Sequence, residues 1–438
     1  MSTATPSPSA GPVTVDRETL RRAGSASFIG TFVEWFDYAT YIYVAGIIAT
    51  LFFPSDNRAA ALMSTFAVFA LGYFTRPIGG MVWGHLGDRL GRRWALSWSI
   101  LIMSASTFLI AFLPTHAQVG LLAPFLLLLL RMVQSFSAAG EYAGASAFLT
   151  EYAPPGKRGI FTALVPASVS LGFLVGSLLM TGLTAMLSTA QLESWGWRLP
   201  FLLAGPLGLV GRYIRVKLQD SPAFQQMEQT GHKDASPLVD VVKNYPKELA
   251  IAFGIASLNA VGFYMVLGYM PTYLSEELGV GKTASFVVAS FAAAIYTISI
   301  FVMGHWSDKV GRRRMLNIAS VLFIVGTVPL FMVLDGAPFW LLVVVDILFG
   351  IMLTINDGTL PTFLSEVFPT KVRYSGFALS FNLANAILGG TTPLVSTWLI
   401  HVTGTKLAPA MYLSFWAVIA LIAMLASKET AFEELRTD

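Results

Sequence analysis

The sequence predicts an all-α membrane protein, twelve transmembrane helices in two six-helix bundles. Three observations predict it. Hydrophobic residues make up 55% of the 438 positions and charged residues only 12%, against about 25% charged in an ordinary soluble domain. The charge is expelled from windows near the ~20 residues a helix needs to cross a bilayer; residues 94–130, for instance, contain no Asp, Glu, Lys or Arg. Finally, one loop sequence occurs twice at half-chain spacing, GHLGDRLGRR at 84–93 and GHWSDKVGRR at 304–313. Only helices satisfy every backbone N–H and C=O in hydrocarbon without closing a barrel.

Residues 1–22 read as a disordered cytoplasmic tail, rich in Ser, Thr, Pro and Ala and without the apolar core of a signal peptide. The first bundle occupies 23–217, a central cytoplasmic loop 218–246, the second bundle 247–427, and a second cytoplasmic tail 428–438. Span 1 runs from about Ser25 to Phe53 and span 2 from about Ala59 to Gly84. The charge-free run 94–130 is too long for one helix, and Pro114-Thr-His-Ala-Gln turns it between spans 3 and 4. Span 5 fills the charge-free stretch 159–192. Span 6 covers about 197–214, with Arg212 and Arg215 crowding its end. The polar central loop has room for a short surface helix. Spans 7 to 12 fall within 249–275, 284–303, 315–334, 338–360, 376–400 and 409–427.

Lys and Arg fix the orientation. With both termini cytoplasmic, the inner loops and tails hold 22 of the 28, and the outer loops hold Arg58, Arg198, Lys282 and Lys406. The net charge of +3 is too small, and too scattered, to suggest a nucleic-acid partner. The absence of cysteine excludes disulfides and thiolate metal sites, and the five histidines make no metal spacing, so no cofactor is expected.

A second repeat supports two related halves. Leu149-Thr-Glu151-Tyr-Ala-Pro154 ends span 4 and Leu364-Ser-Glu366-Val-Phe-Pro369 ends span 10; Arg158 and Arg373 each follow the glutamate by seven residues. The paired Gly-x-x-x-Asp-x-x-Gly-Arg-Arg loops after spans 2 and 8 resemble the signature of the major facilitator superfamily.

Ionisable groups inside a span carry the functional information, since each costs about 2.5–3.5 kcal/mol at a helix centre and persists where a cavity or partner compensates. Helical spacing puts Glu34, Asp37, Tyr38 and Tyr41 on one side of span 1. Two carboxylates three residues apart oppose each other's charge, as does burial. They form either a proton- or cation-binding site or a structural pair neutralised by Arg76 or Arg131. Arg131 sits near the middle of span 4 with Gln134 one turn on, and a buried arginine demands an anion: Glu34, Asp37 or a substrate carboxylate. Arg-x-x-Gln here also resembles a signature of proton-coupled superfamily members, with Ser135 in place of the usual glycine. Glu141 suits either a gate or the site, and its repeat partner is Asp357. Asp346 is a further acid within span 10. Aromatics of spans 1 and 7, namely Tyr38, Tyr41, Phe263, Tyr264 and Tyr269, can line a pocket that attracts a quaternary ammonium.

Glu34-Trp-Phe-Asp37-Tyr, Arg76-Pro-Ile-Gly-Gly, Ala139-Gly-Glu141-Tyr, Trp195-Gly-Trp-Arg198-Leu-Pro-Phe and Tyr269-Met-Pro-Thr-Tyr together resemble the metabolite:proton symporter family over residues 20–430. Asp220-Ser-Pro-Ala-Phe-Gln-Gln and Lys428-Glu-Thr-Ala are most like its proline/betaine branch. The resemblance implies proton-driven uptake of a zwitterionic osmolyte by alternating access in the plasma membrane, by a monomer working on a small molecule, protons and the bilayer. The alternative is symport of an organic acid such as α-ketoglutarate, citrate or shikimate. It implies Glu34, Asp37 and Arg131 for proton coupling, and Arg131, Tyr38, Tyr41, Gln134, Glu141 and Tyr264 around the substrate. Gating falls to Asp88, Arg89, Arg92, Glu151, Arg158, Asp308, Arg312, Glu366 and Arg373, with Asp88 expected to pair with Arg373 and Asp308 with Arg158. Osmosensing relatives end in a heptad coiled coil. Some ten residues follow span 12 here, so osmotic control through such a coil is not expected.

Overall fold

The computed structural model describes residues 17–90, 92–138, 141–154, 156–216 and 237–436, in places by backbone alone. The expectations for the tail at 1–16, for loop residues 217–236 and for the side chains of Asp88, Arg89 and Arg92 lie outside the described residues.

Twelve helical rods follow in chain order. The first six are α1 (Arg17–Phe52), α2 (Arg58–Phe74, resuming as Arg76–Leu90), α3 (Arg92–Ile110), α4 (Leu122–Ser137, resuming as Glu141–Tyr152), α5 (Arg158–Thr162 and Leu164–Met186) and α6 (Arg198–Val216). The second six are α7 (Pro246–Phe263, carried on to Glu277), α8 (Lys282–Val310), α9 (Arg312–Leu334), α10 (Phe339–Asp357 and Leu360–Val367), α11 (Arg373–Ala384, carried on to Thr403) and α12 (Ala408–Leu425). Among the described residues ten of these rods are long and apolar enough to cross a membrane, and α3 contributes the shorter apolar helix Trp94–Ile110.

Two boundaries differ from the sequence expectation. α1 is already helical at Arg17, inside the stretch expected as a tail, and no proline from Arg17 to Phe53 interrupts it. α8 runs to Val310, so Asp308 occupies its last turn rather than a loop. The chain first turns at Gly311, whose φ of 104° only glycine adopts without strain. The central segment does hold a short helix, Pro237–Asn244.

α1 lies along α5, α3 along α6 and α2 along α4. α8 lies along α10, and α9 and α7 both lie along α12. The two bundles meet where α5 packs on α8 and α2 on α11. Gly172 of α5 permits the close approach to α1, since a Cβ there would stand 2.7 Å from the Phe36 backbone nitrogen. Gly159 and Gly304 permit the approach of α5 to α8: a Cβ on Gly159 would come within 2.3 Å of the Gly304 carbonyl oxygen. Leu121, Phe125, Ile298, Val325 and Phe415 point outward, as expected of a surface solvated by acyl chains rather than water.

Candidate functional site

Two buried polar clusters lie inside the first bundle. In one, the Arg76 guanidinium donates to Glu34 at 2.7 Å and to the Ala138 carbonyl at 3.0 Å. It sits 5.2 Å from the Tyr38 ring and 5.3 Å from the Tyr73 ring. Both charges are almost fully enclosed. Desolvated charges of this kind persist only when paired, so Glu34 and Arg76 hold each other inside.

The other cluster is a chain of hydrogen bonds joining α4, α3 and α1. Arg131 donates to Gln134, Gln134 Nε2 donates to Thr107 Oγ1 at 2.7 Å, and Thr107 donates to Asp37 Oδ2 at 3.2 Å. Arg131 lies under the faces of Tyr41, Phe69 and Tyr38, at 4.3, 5.0 and 5.4 Å. Asp37 and Arg131 are fully buried, yet Asp37 Oδ1 and Arg131 Nε and Nη2 have no hydrogen-bond partner among the described residues. A cluster left partly unsatisfied in so enclosed a setting has spare capacity for a proton or an ion.

A small cavity lies between the bundles. Trp35 and Tyr142 line it from the first bundle, and Phe263, Tyr296, Asp357 and Phe381 from the second. The space is finely divided and admits about one water at a time. Asp357 accepts from Asn259 Nδ2 at 2.6 Å and from the Tyr296 hydroxyl. Three lining residues mark irregularities in their helices. Phe263 precedes a π-helical turn over Tyr264–Tyr269, Asn385 opens another over Asn385–Gly389, and Asp357 ends the first part of α10 at Gly358. Glycine is needed at 358 because a Cβ would meet the backbone of Gly304 and Ile300 at 2.9 and 3.0 Å. Broken and widened helices are tolerated at membrane depth where they line a cavity.

Ion pairs bridge the bundles at both ends of this cavity, so the structure is occluded. On the face of the repeated loops, Arg158 meets Glu366 at 3.3 Å and Arg373 meets Glu151 at 2.8 Å. Glu366 also accepts from Arg312, whose guanidinium donates to Asp308 at 2.8 Å. Asp308 does not face Arg158. It accepts from the backbone N–H groups of Gly159 and Ile160 at 2.8 and 3.1 Å, capping α5 from the other bundle. The close Gly159–Gly304 approach brings those orphan amides within reach, and a helix N-terminus favours an anion; Arg158 is thereby left to Glu366. At the far end, Arg58 donates twice to Glu276, at 3.0 and 2.7 Å.

Among residues singled out from sequence, Asp37, Tyr38, Arg131 and Gln134 share one cluster, with Tyr41 stacked against its arginine. Glu34 stands beside it with Arg76. Tyr264 reaches across to the Tyr73 hydroxyl. None of Tyr38, Tyr41, Arg131, Gln134, Glu141 and Tyr264 lines the cavity; Phe263, also singled out among the aromatics, does, as do Trp35 and Tyr142, sequence neighbours of Glu34 and Glu141. Thr107, Asn259, Tyr296 and the Arg58–Glu276 pair carry no distinguishing signal in the sequence. A threonine in an apolar span is ordinary, and only contact with an acid sets it apart.

The description Major Facilitator Superfamily fits residues 27–291 and 252–435. The chain is 36% identical over 434 residues to a glycine betaine/proline/ectoine/pipecolic acid transporter of Dickeya dadantii, covering 96% of this chain and 86% of that one. It is 35% identical over the same length, with the same coverage, to a proline/betaine transporter of Escherichia coli. Among solved structures it resembles a proton:xylose symporter bound to 6-bromo-6-deoxy-D-glucose, with a TM-score of 0.75 at 18% identity over 96% of this chain and 98% of that one. This last likeness bears on the fold alone.

Proposed function

The chain belongs to the major facilitator superfamily, and from that premise we propose that it takes up a small zwitterionic osmolyte of the proline and glycine betaine type, driven by protons, through alternating access. The observation that carries the proton half of this reading is the chain Arg131–Gln134–Thr107–Asp37, which ends in a buried carboxylate oxygen without a partner among the described residues. Asp37 takes the proton. Arg131 balances the charge when the proton leaves, and Gln134 and Thr107 relay between them. Glu34 stays committed to Arg76 and holds α1 against α2. A proton moving down the membrane potential contributes about 2.3 kcal/mol per 100 mV, enough to drive accumulation without any cofactor.

Both termini face the cytoplasm, in line with the bias of Lys and Arg. Glu151, Arg158, Asp308, Arg312, Glu366 and Arg373 then close the cytoplasmic side, and Arg58 with Glu276 closes the outer side. Asp88, Arg89 and Arg92 share the cytoplasmic task through the loop repeat. The protein works as a monomer.

Proteoliposomes loaded at alkaline pH and diluted into acidic medium test the reading. Labelled proline or glycine betaine should accumulate and then leak out when a protonophore collapses the gradient. Accumulation of α-ketoglutarate with neither zwitterion competing would replace it with organic-acid symport.

A further inference from the structure

We infer that Asp357 and the rings around it form the seat for the positively charged nitrogen of the transported molecule, and that the seat selects for that charge rather than for shape. The inference rests on the osmolyte reading above and adds to it where, and by what chemistry, the ligand's cationic end is held.

The cavity between the bundles has one carboxylate in its lining, and the rest of its wall is aromatic or uncharged. Trp35 and Phe263 meet edge-to-face at 5.4 Å, Phe263 and Tyr296 at 6.4 Å, and Tyr142 stacks on Phe381 at 4.4 Å. Ring faces attract a cation through their quadrupole, and an alkylated ammonium, which sheds water easily, benefits most. Asn259 and Tyr296 each give Asp357 one hydrogen bond. These fix the carboxylate and leave lone pairs on both oxygens. An anion held at a helix break beside π-systems is a cation seat, and it repels a second carboxylate.

The residues come from both bundles: Trp35 and Tyr142 from the first, Phe263, Tyr296, Asp357 and Phe381 from the second. A cation seated among them ties the bundles together, so its binding energy favours the occluded arrangement. The space now admits about one water, so the rings must move apart to take even a compact head such as trimethylammonium or a pyrrolidinium ring.

Glycine betaine and 3,3-dimethylbutanoate have the same shape and carboxylate, with nitrogen replaced by carbon in the second. Equilibrium binding of labelled glycine betaine to the purified full chain in nanodiscs, with 3,3-dimethylbutanoate as competitor, reads the charge alone. The wild type should prefer betaine by about tenfold or more, Asp357→Glu should keep most of that preference, and Asp357→Asn should bring the two ligands to near parity. Phe381→Leu should weaken betaine by about threefold to thirtyfold while changing dimethylbutanoate less. It decides the matter independently if Asp357→Asn fails to fold. Full preference for betaine in Asp357→Asn, or equal losses for both ligands in Phe381→Leu, would overturn the seat while leaving the osmolyte reading intact. A wild type that binds neither betaine nor proline would remove both.

Discussion

Arg158 of the first bundle reaches Glu366 of the second at 3.3 Å, and their repeat counterparts make the same contact in the opposite direction, Arg373 to Glu151 at 2.8 Å. The duplicated glutamate–arginine motif is therefore a crossed pair of clasps. Each half supplies one acid and one base, and neither clasp can close unless the bundles meet.

The two ends of the cavity should respond differently to loss of charge. Glu366 serves Arg158, the buried Arg312 and the Thr430 hydroxyl together. Replacing it with glutamine leaves Arg312, 1% exposed, with Asp308 alone as countercharge, and losing one buried partner costs up to about 3–5 kcal/mol. Glu366→Gln should hold the loop-repeat face open and cut uptake at least tenfold, as about 1.4 kcal/mol per decade requires. Arg58→Gln should cost less than about fivefold, because a partly exposed pair is worth about 0–1 kcal/mol and the Arg58 side chain is 42% exposed. Thr362 of α10 is buried against the Thr162 hydroxyl of α5 across the bundle boundary, and the chain has no cysteine, so a single Thr362→Cys reports opening through reaction with a thiol reagent. Equal uptake losses in the two variants would contradict the assignment.

Gly159→Ala tests the capping of α5 by Asp308. The added methyl would stand 2.3 Å from the Gly304 carbonyl oxygen and 2.5 Å from Ser307 Oγ, so α5 and α8 must part and the Asp308 hydrogen bonds lengthen. Overpacking of this kind costs typically about 1–3 kcal/mol, here charged to the closed gate. Thiol labelling at position 362 should speed up, and proton-driven uptake should slow. Unchanged labelling would mean the contact does not set the gate.

Much of this architecture is legible in the sequence because the bilayer confines charge to short loops, which are then easy to align. The twelve spans and the Glu151/Glu366 and Arg158/Arg373 repeat are readable for that reason. Glu34 with Arg76 is readable as one of two options, since few charges lie within spans. Partners are less legible. The superfamily resemblance points Asp308 at Arg158, but the free N–H groups at the start of α5, which it caps instead, carry no signal in the side-chain sequence. Thr107 and Tyr296 matter only through the acids they touch, and that contact depends on how spans rotate against each other. The sequence expectation includes Phe263 on the cavity wall but passes over Tyr142 in favour of its neighbour Glu141, and over Trp35 beside Glu34, because a helix turns about 100° per residue and the facing side depends on how the spans rotate.

Asp37 and Thr107 separate coupling from binding. Asp37→Asn keeps shape and hydrogen bonding but cannot release a proton, so accumulation driven by a pH gradient should vanish while exchange of labelled for unlabelled substrate continues. Thr107→Val removes the hydroxyl between Gln134 and Asp37. A hydrogen bond to a charged group is worth about 1.5–3 kcal/mol, so proton-driven accumulation should fall about tenfold or more while substrate exchange continues. Retained accumulation in Asp37→Asn would shift the proton site elsewhere, with the buried Asp346, unpartnered among the described residues, as the next acid to test.

The segment after α12 holds the gate from outside the bundles. Glu429 accepts from the backbone N–H groups of Arg312 and Arg313, at 2.7 and 3.1 Å, and so caps α9 in place of Gly311, which has no side chain to do so. The Thr430 hydroxyl then donates to Glu366 at 2.7 Å, and the Glu433 carbonyl accepts from Arg158 at 3.1 Å. An N-terminal cap is worth about 0.5–2 kcal/mol, and this one also aligns two of the clasp residues. Glu429→Ala should therefore raise the labelling rate at Thr362→Cys by roughly twofold to thirtyfold, the same energy range expressed as a population. Glu429→Gln keeps an acceptor oxygen but not the charge that suits a helix N-terminus, and should fall between. If Glu429→Ala labels no faster than the parent, the tail rides on the closed gate without strengthening it.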